Sequence, residues 1–372
     1  MRTTHLNRRN PFTPTFGHIP FSFAGRDELV DNVMEGLADL PGEPNRATIF
    51  MGPRGSGKTV LITTIAREVS QMGWVYAQAF AHEGLHKELM EQLKANASHL
   101  LSSVSNYSLT SVQVGPVGFG GEYRQHEEES WRLRFQHVVE QLNEQDVGAL
   151  FVIDEVSPDC KELVDFISIY QAFVIEGRDV ALLLAGLPSN VSDLLLDRRV
   201  SFIRRAVQRR LAIIPDEDIR DAVQATLDSY GKTMADTALD MLVQAAGGFP
   251  YAMQLIGYHA WRYAGENEEI SVANVEKAIR RAGQEMEHTV IRPTLQECPL
   301  RELQYLQAMT LDAGPSVTSD IAKRLGISMT NASNLRRRLI DRGLIKNVRM
   351  GVVAFDMPLI ETYLREHPEE WY

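Results

Sequence analysis

Cysteine is nearly absent from this chain: two among 372 residues, Cys160 and Cys298, far apart and with no C-x-x-C spacing. That excludes a disulfide-stapled scaffold and a cysteine-rich zinc module, and it fits packing thiols in a reducing compartment. Long hydrophobic runs are missing as well, since no segment reaches the roughly 18 to 20 apolar residues that a spanning helix needs. The opening stretch MRTTHLNRRNPFTPTFG is basic but runs into Pro, Phe and polar residues in place of the apolar centre of a secretory signal. A cytoplasmic protein without a membrane partner is therefore expected. Positive charge is also short: 38 Lys and Arg against 49 Asp and Glu leave a formal net charge of −11, which argues against a protein that coats nucleic acid with its whole surface. The distribution of charge says more than the sum. The last part of the chain gathers Arg301, Lys323, Arg324, Arg336, Arg337, Arg338, Arg342, Lys346 and Arg349, with few acids before the terminal tail.

What is present is an ordinary globular composition, 44% hydrophobic and 23% charged, in a length that suits two or three domains. Apolar strand-like runs at Ala47 to Met51, Trp74 to Ala79, Ala149 to Ile153, Val180 to Ala185 and Leu211 to Ile214 alternate with amphipathic helical patterns. Near-continuous apolar strands separated by helices predict a parallel sheet covered on both faces. From Asp216 to about Met286 the pattern is helical alone, at Asp218 to Tyr230, Ala235 to Ala246 and Tyr251 to Tyr263, with no strand signal. A linker with two prolines is expected near Ile291 to Pro299. One segment breaks the α/β rhythm. Val112, Val114, Val117 and Phe119 alternate around Gly115-Pro116, beside Gly118, Gly120 and Gly121, and predict an inserted hairpin. It is either a contact element for a partner or a plain β-extension or loop.

The chemistry centres on Gly52-Pro53-Arg54-Gly55-Ser56-Gly57-Lys58-Thr59, which follows the strand Ala47 to Met51 and precedes a helical pattern from Val60. Strand, G-x-x-x-x-G-K-T and helix in that order form a P-loop. The glycines let backbone N–H groups converge on phosphate oxygens at a helix N-terminus, Lys58 can reach the β- and γ-phosphates, and the Thr59 hydroxyl can ligate Mg²⁺. The expected nucleotide contacts are Gly52, Pro53, Arg54, Gly55, Ser56, Gly57, Lys58, Thr59 and Val60. A second element lies downstream, where the apolar strand Ala149 to Ile153 ends in Asp154-Glu155. Asp154 at that edge can complete the Mg²⁺ shell with Thr59, and Glu155 can orient or deprotonate an attacking water.

Another strand, Trp74 to Ala79, falls between these two elements, so the P-loop strand and the Asp strand are not expected to be sheet neighbours. That spacing resembles the AAA+ and related STAND-type ATPases, in the branch that includes archaeal-type ATPases and origin-recognition initiators. The resemblance extends further. Phe23-Ala24-Gly25-Arg26-Asp27-Glu28 is similar to the box that precedes the P-loop in these families and implies that Gly25 and Arg26 help enclose the adenine. Ala185-Gly186-Leu187-Pro188-Ser189 follows the fourth strand, and the resemblance implies a γ-phosphate sensor at Ser189, where initiators carry Asn; the neighbouring Asn190 could substitute. Leu196-Asp197-Arg198-Arg199-Val200 and Phe202-Ile203-Arg204-Arg205 resemble the region that supplies an arginine finger, with Arg204 and Arg205 the implied candidates and a solvated basic face the alternative. Gly247-Gly248-Phe249-Pro250 resembles the G-x-P motif of STAND and archaeal-type ATPases, which implies a nucleotide contact at Pro250; no sensor-2 arginine stands there, and a helix cap followed by Pro is compatible.

Near the C-terminus a helix at Leu300 to Met309, a second at Ser319 to Gly326 opening on a Ser cap, and a third at Met329 to Arg342 precede an alternating stretch at Leu344 to Phe355. This resembles a winged helix-turn-helix. In such a module the N-terminal part of the third helix enters the major groove, so Thr330, Asn331, Ser333 and Asn334 are expected at base edges, and Arg337, Arg338, Lys346 and Arg349 at phosphates. The alternative is a winged helix that docks on protein.

The combined expectation is an α/β chain. Residues 1–214 form a P-loop NTPase parallel sheet of the AAA+-like, additional-strand type with an N-terminal adenine-enclosing segment, 215–290 an all-helical lid, and 298–372 a winged helix-turn-helix. The leading function is an ATP- and Mg²⁺-binding, slowly hydrolysing ATPase whose nucleotide gates binding to double-stranded DNA. Its rivals are an oligomeric ATP-driven remodeller or loader, joined as a homo-oligomer through the nucleotide interface, and a signalling scaffold.

Overall fold

A computed structural model describes residues 9–15, 17–22, 24–100, 122–357 and 359–368, with side chains described outside 122–130. Helix α1 (Asp27–Ala38) leads into β1 (Ala47–Met51), α2 (Lys58–Gln71), β2 (Val75–Phe80), α3 (Leu85–Asn96) and α4 (Glu122–Asn143). Then follow β3 (Ala149–Asp154), α5 (Lys161–Ile175), β4 (Val180–Gly186), α6 (Pro188–Leu196), a 3-10 segment at Arg198–Arg205, and β5 (Val207–Arg210). The five strands form one parallel sheet in the order β2-β3-β4-β1-β5. The P-loop strand and the Asp strand are separated, as expected, but by β4; the strand between them in sequence, β2, lies at the edge.

Strands β3 and β4 are buried along their whole length, because helices cover both sheet faces. On one face Phe50, Leu150, Val152 and Leu183 pack with Val33, Leu61, Ile65 and Val69 from α1 and α2. On the other, Phe151 meets Phe135 and Phe166 edge to face at ring separations of 6.1 and 4.9 Å. The last strand departs from expectation. Leu211 to Ile214 is not strand; β5 is the polar Val207–Arg210, one edge of which is open to solvent. Leu211 and Ile214 are apolar because both are buried where the chain leaves the sheet, the Ile214 N–H passing to the Gly248 carbonyl at 2.9 Å.

Beyond the sheet come α7 (Asp216–Ser229), β6 (Thr233–Met234), α8 (Asp236–Ala246), α9 (Pro250–Ala264), β7 (Glu269–Ile270) and α10 (Val272–Met286). The expected all-helical unit thus contains a two-residue parallel pair, β6 with β7, too short to leave a periodic trace in the sequence. The expected linker is helical too. From α10 a π-helical turn at Glu287–Ile291 runs into α11 (Arg292–Gln296), with Pro293 in the first turn, where its missing N–H is tolerated.

The C-terminal part contains α12 (Leu300–Met309), β8 (Ser316–Val317), α13 (Thr318–Leu325), α14 (Met329–Asp341), β9 (Ile345–Arg349), β10 (Val352–Phe355) and α15 (Ile360–Glu366). Helix α13 opens at Thr318 with Val317 in the cap position, so the expected Ser319 cap is not formed. Strands β8, β10 and β9 make a small antiparallel sheet beside the helices. One apolar cluster runs from α7 to α15, joining the α7–α10 unit and the C-terminal helices without a break. The expected hairpin at 112–121 lies outside the described residues. Among the described residues no helix is long and apolar enough to cross a membrane.

Candidate nucleotide site

The loop between β1 and α2 turns through two left-handed glycines, Gly55 at φ +79° and Gly57 at φ +87°, a region that side-chain-bearing residues seldom enter. Helix α9 sits directly over it. A side chain at Gly57 would meet Pro250 at 3.5 Å and one at Gly55 would meet Tyr251 at 3.4 Å. The Lys58 ammonium is folded back onto its own loop, donating to the carbonyls of Gly52 at 2.8 Å and Pro53 at 2.9 Å. Burial lowers its pKa from 10.5 to about 8, and Asp154 and Glu155 only partly oppose that. Ser56 Oγ is buried without a hydrogen-bond partner among the described residues, a donor that a phosphate oxygen could take. Val60 continues the first turn of α2 and is half-buried.

At the end of β3 the Thr59 hydroxyl donates to Asp154 Oδ2 at 2.5 Å, while Asp154 Oδ1 accepts from the Glu155 amide at 2.8 Å. Parallel strands at the centre of the sheet thus bring the two expected metal ligands into direct contact. A hydroxyl and a carboxylate are hard oxygen donors of the kind Mg²⁺ takes, so the pair fits that ion. Glu155 is exposed and holds a left-handed backbone at φ +51°, a strained conformation for its residue type. Directly after it, Val156 is buried and its amide bonds the Ala185 carbonyl at 2.9 Å, which pins the turn to β4.

The looser candidates separate. Asn190, not Ser189, ties α6 to this turn, its side-chain amide donating to the Val156 carbonyl at 3.0 Å; the Ser189 hydroxyl bonds Asn190 at 3.4 Å. Arg204 and Arg205 are exposed, and Arg204 Nε donates to the Leu195 carbonyl at 2.6 Å. Neither hydrogen-bonds to the P-loop of its own chain among the described residues. Arg26 is buried, its pKa lowered by that burial against the opposing charge of Asp218, and donates to the Ala212 carbonyl at 2.6 Å. Gly25 has φ +58°, and a side chain there would strike Asp218 at 2.5 Å. A cleft between Arg26, Pro53, Ser56, Ala212 and Pro250 adjoins the P-loop.

Four contacts at this site went unread in the sequence, all from residues beyond 290. Glu297 forms an ion pair with Arg54 at 2.7 Å. Gly343, at φ +73°, approaches Pro53 so closely that a Cβ would lie 2.9 Å from the proline ring. The Ile340 carbonyl accepts from Arg210 at 2.6 Å. Asp356 lines the cleft and also forms an ion pair with Lys346 at 3.5 Å. None of these four lies in a recognisable motif.

Along α14, Ala332, Leu335 and Leu339 are buried, while Thr330, Asn331, Asn334, Arg337 and Arg338 share the exposed face and Ser333 is half-buried. Lys346 and Arg349 are exposed on β9. The side chains of Arg337, Arg338 and Arg349 have no hydrogen bond or ion pair among the described residues.

A five-stranded parallel sheet in this order, with a P-loop after β1 and an Asp-Glu pair after β3, is the fold of AAA+ P-loop ATPases. Among solved structures it is similar to a Walker-type ATPase of Pyrococcus abyssi, with TM-score 0.66 and 16% identity over 92% of this chain and 96% of that one. It is also similar to Cdc6p from Pyrobaculum aerophilum, with TM-score 0.51 and 16% identity over 96% of this chain and 98% of that one. Residues 288–364 match a family described as a domain of unknown function, DUF8462. No curated protein matches the chain.

Proposed function

We propose that this chain binds ATP, hydrolyses it slowly to ADP and phosphate, and uses the nucleotide to set how its C-terminal segment meets double-stranded DNA. The reading divides the chain into an ATPase core (1–214), a lid (215–290) and a winged helix (298–372), with α14 as the groove-facing helix and β9–β10 as the wing. One observation carries it: Pro53 and Arg54, within the P-loop, are in contact with Gly343 and Glu297 of the C-terminal segment. A triphosphate entering the loop competes with the Gly52 and Pro53 carbonyls for the Lys58 ammonium. Movement of Lys58 off Pro53 loosens the same residue against which Gly343 is packed.

Within the site, Gly55, Ser56 and Gly57 shape the phosphate cradle, Lys58 neutralises the outer phosphates, and Arg26 and Pro250 wall the base. Thr59 and Asp154 would hold Mg²⁺, which screens phosphate charge when bound. Glu155, turned to solvent, accepts the proton of the attacking water. Asn190 or Ser189 senses the γ-phosphate from α6, and Arg205, free of partners among the described residues, or Arg204 supplies charge to a neighbour's nucleotide in a homo-oligomer. Thr330, Asn331, Ser333 and Asn334 read base edges; Arg337, Arg338, Lys346 and Arg349 hold phosphates.

A ligand shifts such an equilibrium only by its differential affinity for the two arrangements. Duplex-DNA affinity measured with ATP, with ADP and without nucleotide is expected to differ by about tenfold or more between states, a coupling of about 1.4 kcal/mol. Three equal affinities would refute the gating.

A further inference from the structure

The C-terminal halves of α9 and α10 enclose a second cleft, of about 470 Å³, lined by Tyr258, His259, Arg262, Tyr263, Arg281 and Glu285. It shares no lining residue with the cleft beside the P-loop. The spacing gathers the six side chains. Tyr258 with Arg262, His259 with Tyr263, and Arg281 with Glu285 each stand four apart on their helix, so each pair shares one face.

Its floor holds a buried polar group that packing does not account for. His259 stands on the inner side of α9 with Leu255, Ile256 and Ala260, all buried, and its own side chain is only 9% exposed. Nε2 of His259 makes no hydrogen bond among the described residues, although Glu285 Oε1 faces it at 3.2 Å. The same carboxylate oxygen lies 2.9 Å from Arg281 Nε. A leucine would fill this place with no polar atom to satisfy, whereas a buried imidazole nitrogen without a hydrogen bond is a cost that a ligand can remove.

The walls indicate what kind of ligand. The Tyr263 ring is exposed and lies at 27° to that of His259, with 6.2 Å between centroids. Arg262 stands over the Tyr258 ring at 5.6 Å and donates to its hydroxyl at 3.3 Å. Two guanidinium groups against one carboxylate leave the lining positive in a chain of net charge −11. Guanidinium forks match the oxygens of a carboxylate or phosphate, and an exposed aromatic face matches a flat ring. Aromatic walls with a few converging polar groups are the form that small-molecule sites take.

We infer that this cleft binds a small anion carried on a flat ring, an aryl phosphate or aryl carboxylate. Arg262 and Arg281 take the anionic oxygens, Tyr263 lies against the ring, and His259 Nε2 gains the partner it lacks. Glu285 holds Arg281 in place. The site stands apart from the ATP and DNA readings and survives the failure of either.

The test uses the full-length protein with ring-labelled histidine, the His259 signal being the one lost in His259→Gln. Phenyl phosphate, benzoate and inorganic phosphate are titrated in turn. Phenyl phosphate or benzoate is expected to move the His259 signal saturably, with a Kd of about 1 mM or below, and inorganic phosphate, which brings no ring, to bind about tenfold more weakly or worse. The preferred probe identifies the anion. Arg262→Gln, at an exposed side chain, is expected to weaken that probe by about tenfold or more at an unchanged thermal midpoint, and Arg281→Gln to weaken it likewise. Lys58→Ala leaves probe binding at the wild-type value, which separates this cleft from the P-loop. A mere polar clip between two helices predicts no saturable change with any probe, and that result would overturn the site. Binding that survives both arginine variants, or that is lost in Lys58→Ala, would overturn it as well. Inorganic phosphate that binds as tightly as phenyl phosphate and benzoate would overturn the assignment of a ring.

Discussion

Lys58 carries two pieces of chemistry in one side chain. Its ammonium is withdrawn onto the loop carbonyls, and its pKa is lowered to about 8 by burial, so near that pH half the population is neutral before nucleotide arrives. A triphosphate beside it favours the charged form and raises the pKa again. Binding of ATP is therefore expected to take up protons above pH 8, and affinity to fall as pH rises further. Calorimetry in two buffers of different ionisation enthalpy reads that uptake directly; none at pH 8.5 would mean that the amine does not meet phosphate. The sign for folding follows from the same shift. Between about 8 and 10.5 the unfolded lysine holds more protons than the folded one, so this group makes the nucleotide-free protein more stable as pH rises through that window, and below it the burial penalty is constant. Lys58→Ala should remove that rise.

Glu155 is the proposed base, exposed and in a left-handed conformation where Asp154 is buried and bonded. Replacing Glu155 with Gln keeps shape and removes the proposed base. ATP affinity is expected to persist while phosphate release slows by about 10²- to 10⁴-fold. Equal turnover in the two proteins would take Glu155 out of the reaction.

At the scale of elements, the legible strands are those for which burial leaves no choice. β1, β3 and β4 are apolar on both faces because helices cover both, and the P-loop and the Asp-Glu pair announce themselves at the ends of two of them. β5 escapes a reading of the sequence because an edge strand has half its backbone and alternate side chains in water, so Val207–Arg210 looks like a loop beside the apolar run that follows. The Pro293 helix and the β6–β7 pair are hidden for similar reasons of length and position. Contacts between distant elements leave no local trace at all. Asp356 is one acid at the end of a short strand, and only folding places it both in the cleft beside Arg26 and against Lys346. Asp356→Asn is expected to release Lys346 and to raise DNA affinity in the nucleotide-free protein by about two- to tenfold, since a surface ion pair of this partly exposed kind contributes roughly 0.2–1 kcal/mol and the proposed gating adds to it. The gap between the ATP and nucleotide-free affinities should narrow accordingly; an unchanged gap would exclude Asp356 from the coupling.

For the whole molecule, the P-loop and the C-terminal segment meet through Arg54 with Glu297 and Pro53 with Gly343, and the proposed coupling of nucleotide to DNA runs through that meeting. Two ligands that act on one equilibrium must act on each other equally. The most direct measurement is calorimetric titration of ATP with Mg²⁺ into the protein, free and saturated with duplex DNA. Duplex is expected to change ATP affinity by the same factor, about tenfold, by which ATP changes duplex affinity, with both effects gone in Lys58→Ala. Heats that show identical ATP binding with and without DNA, or no binding at all, would contradict the account.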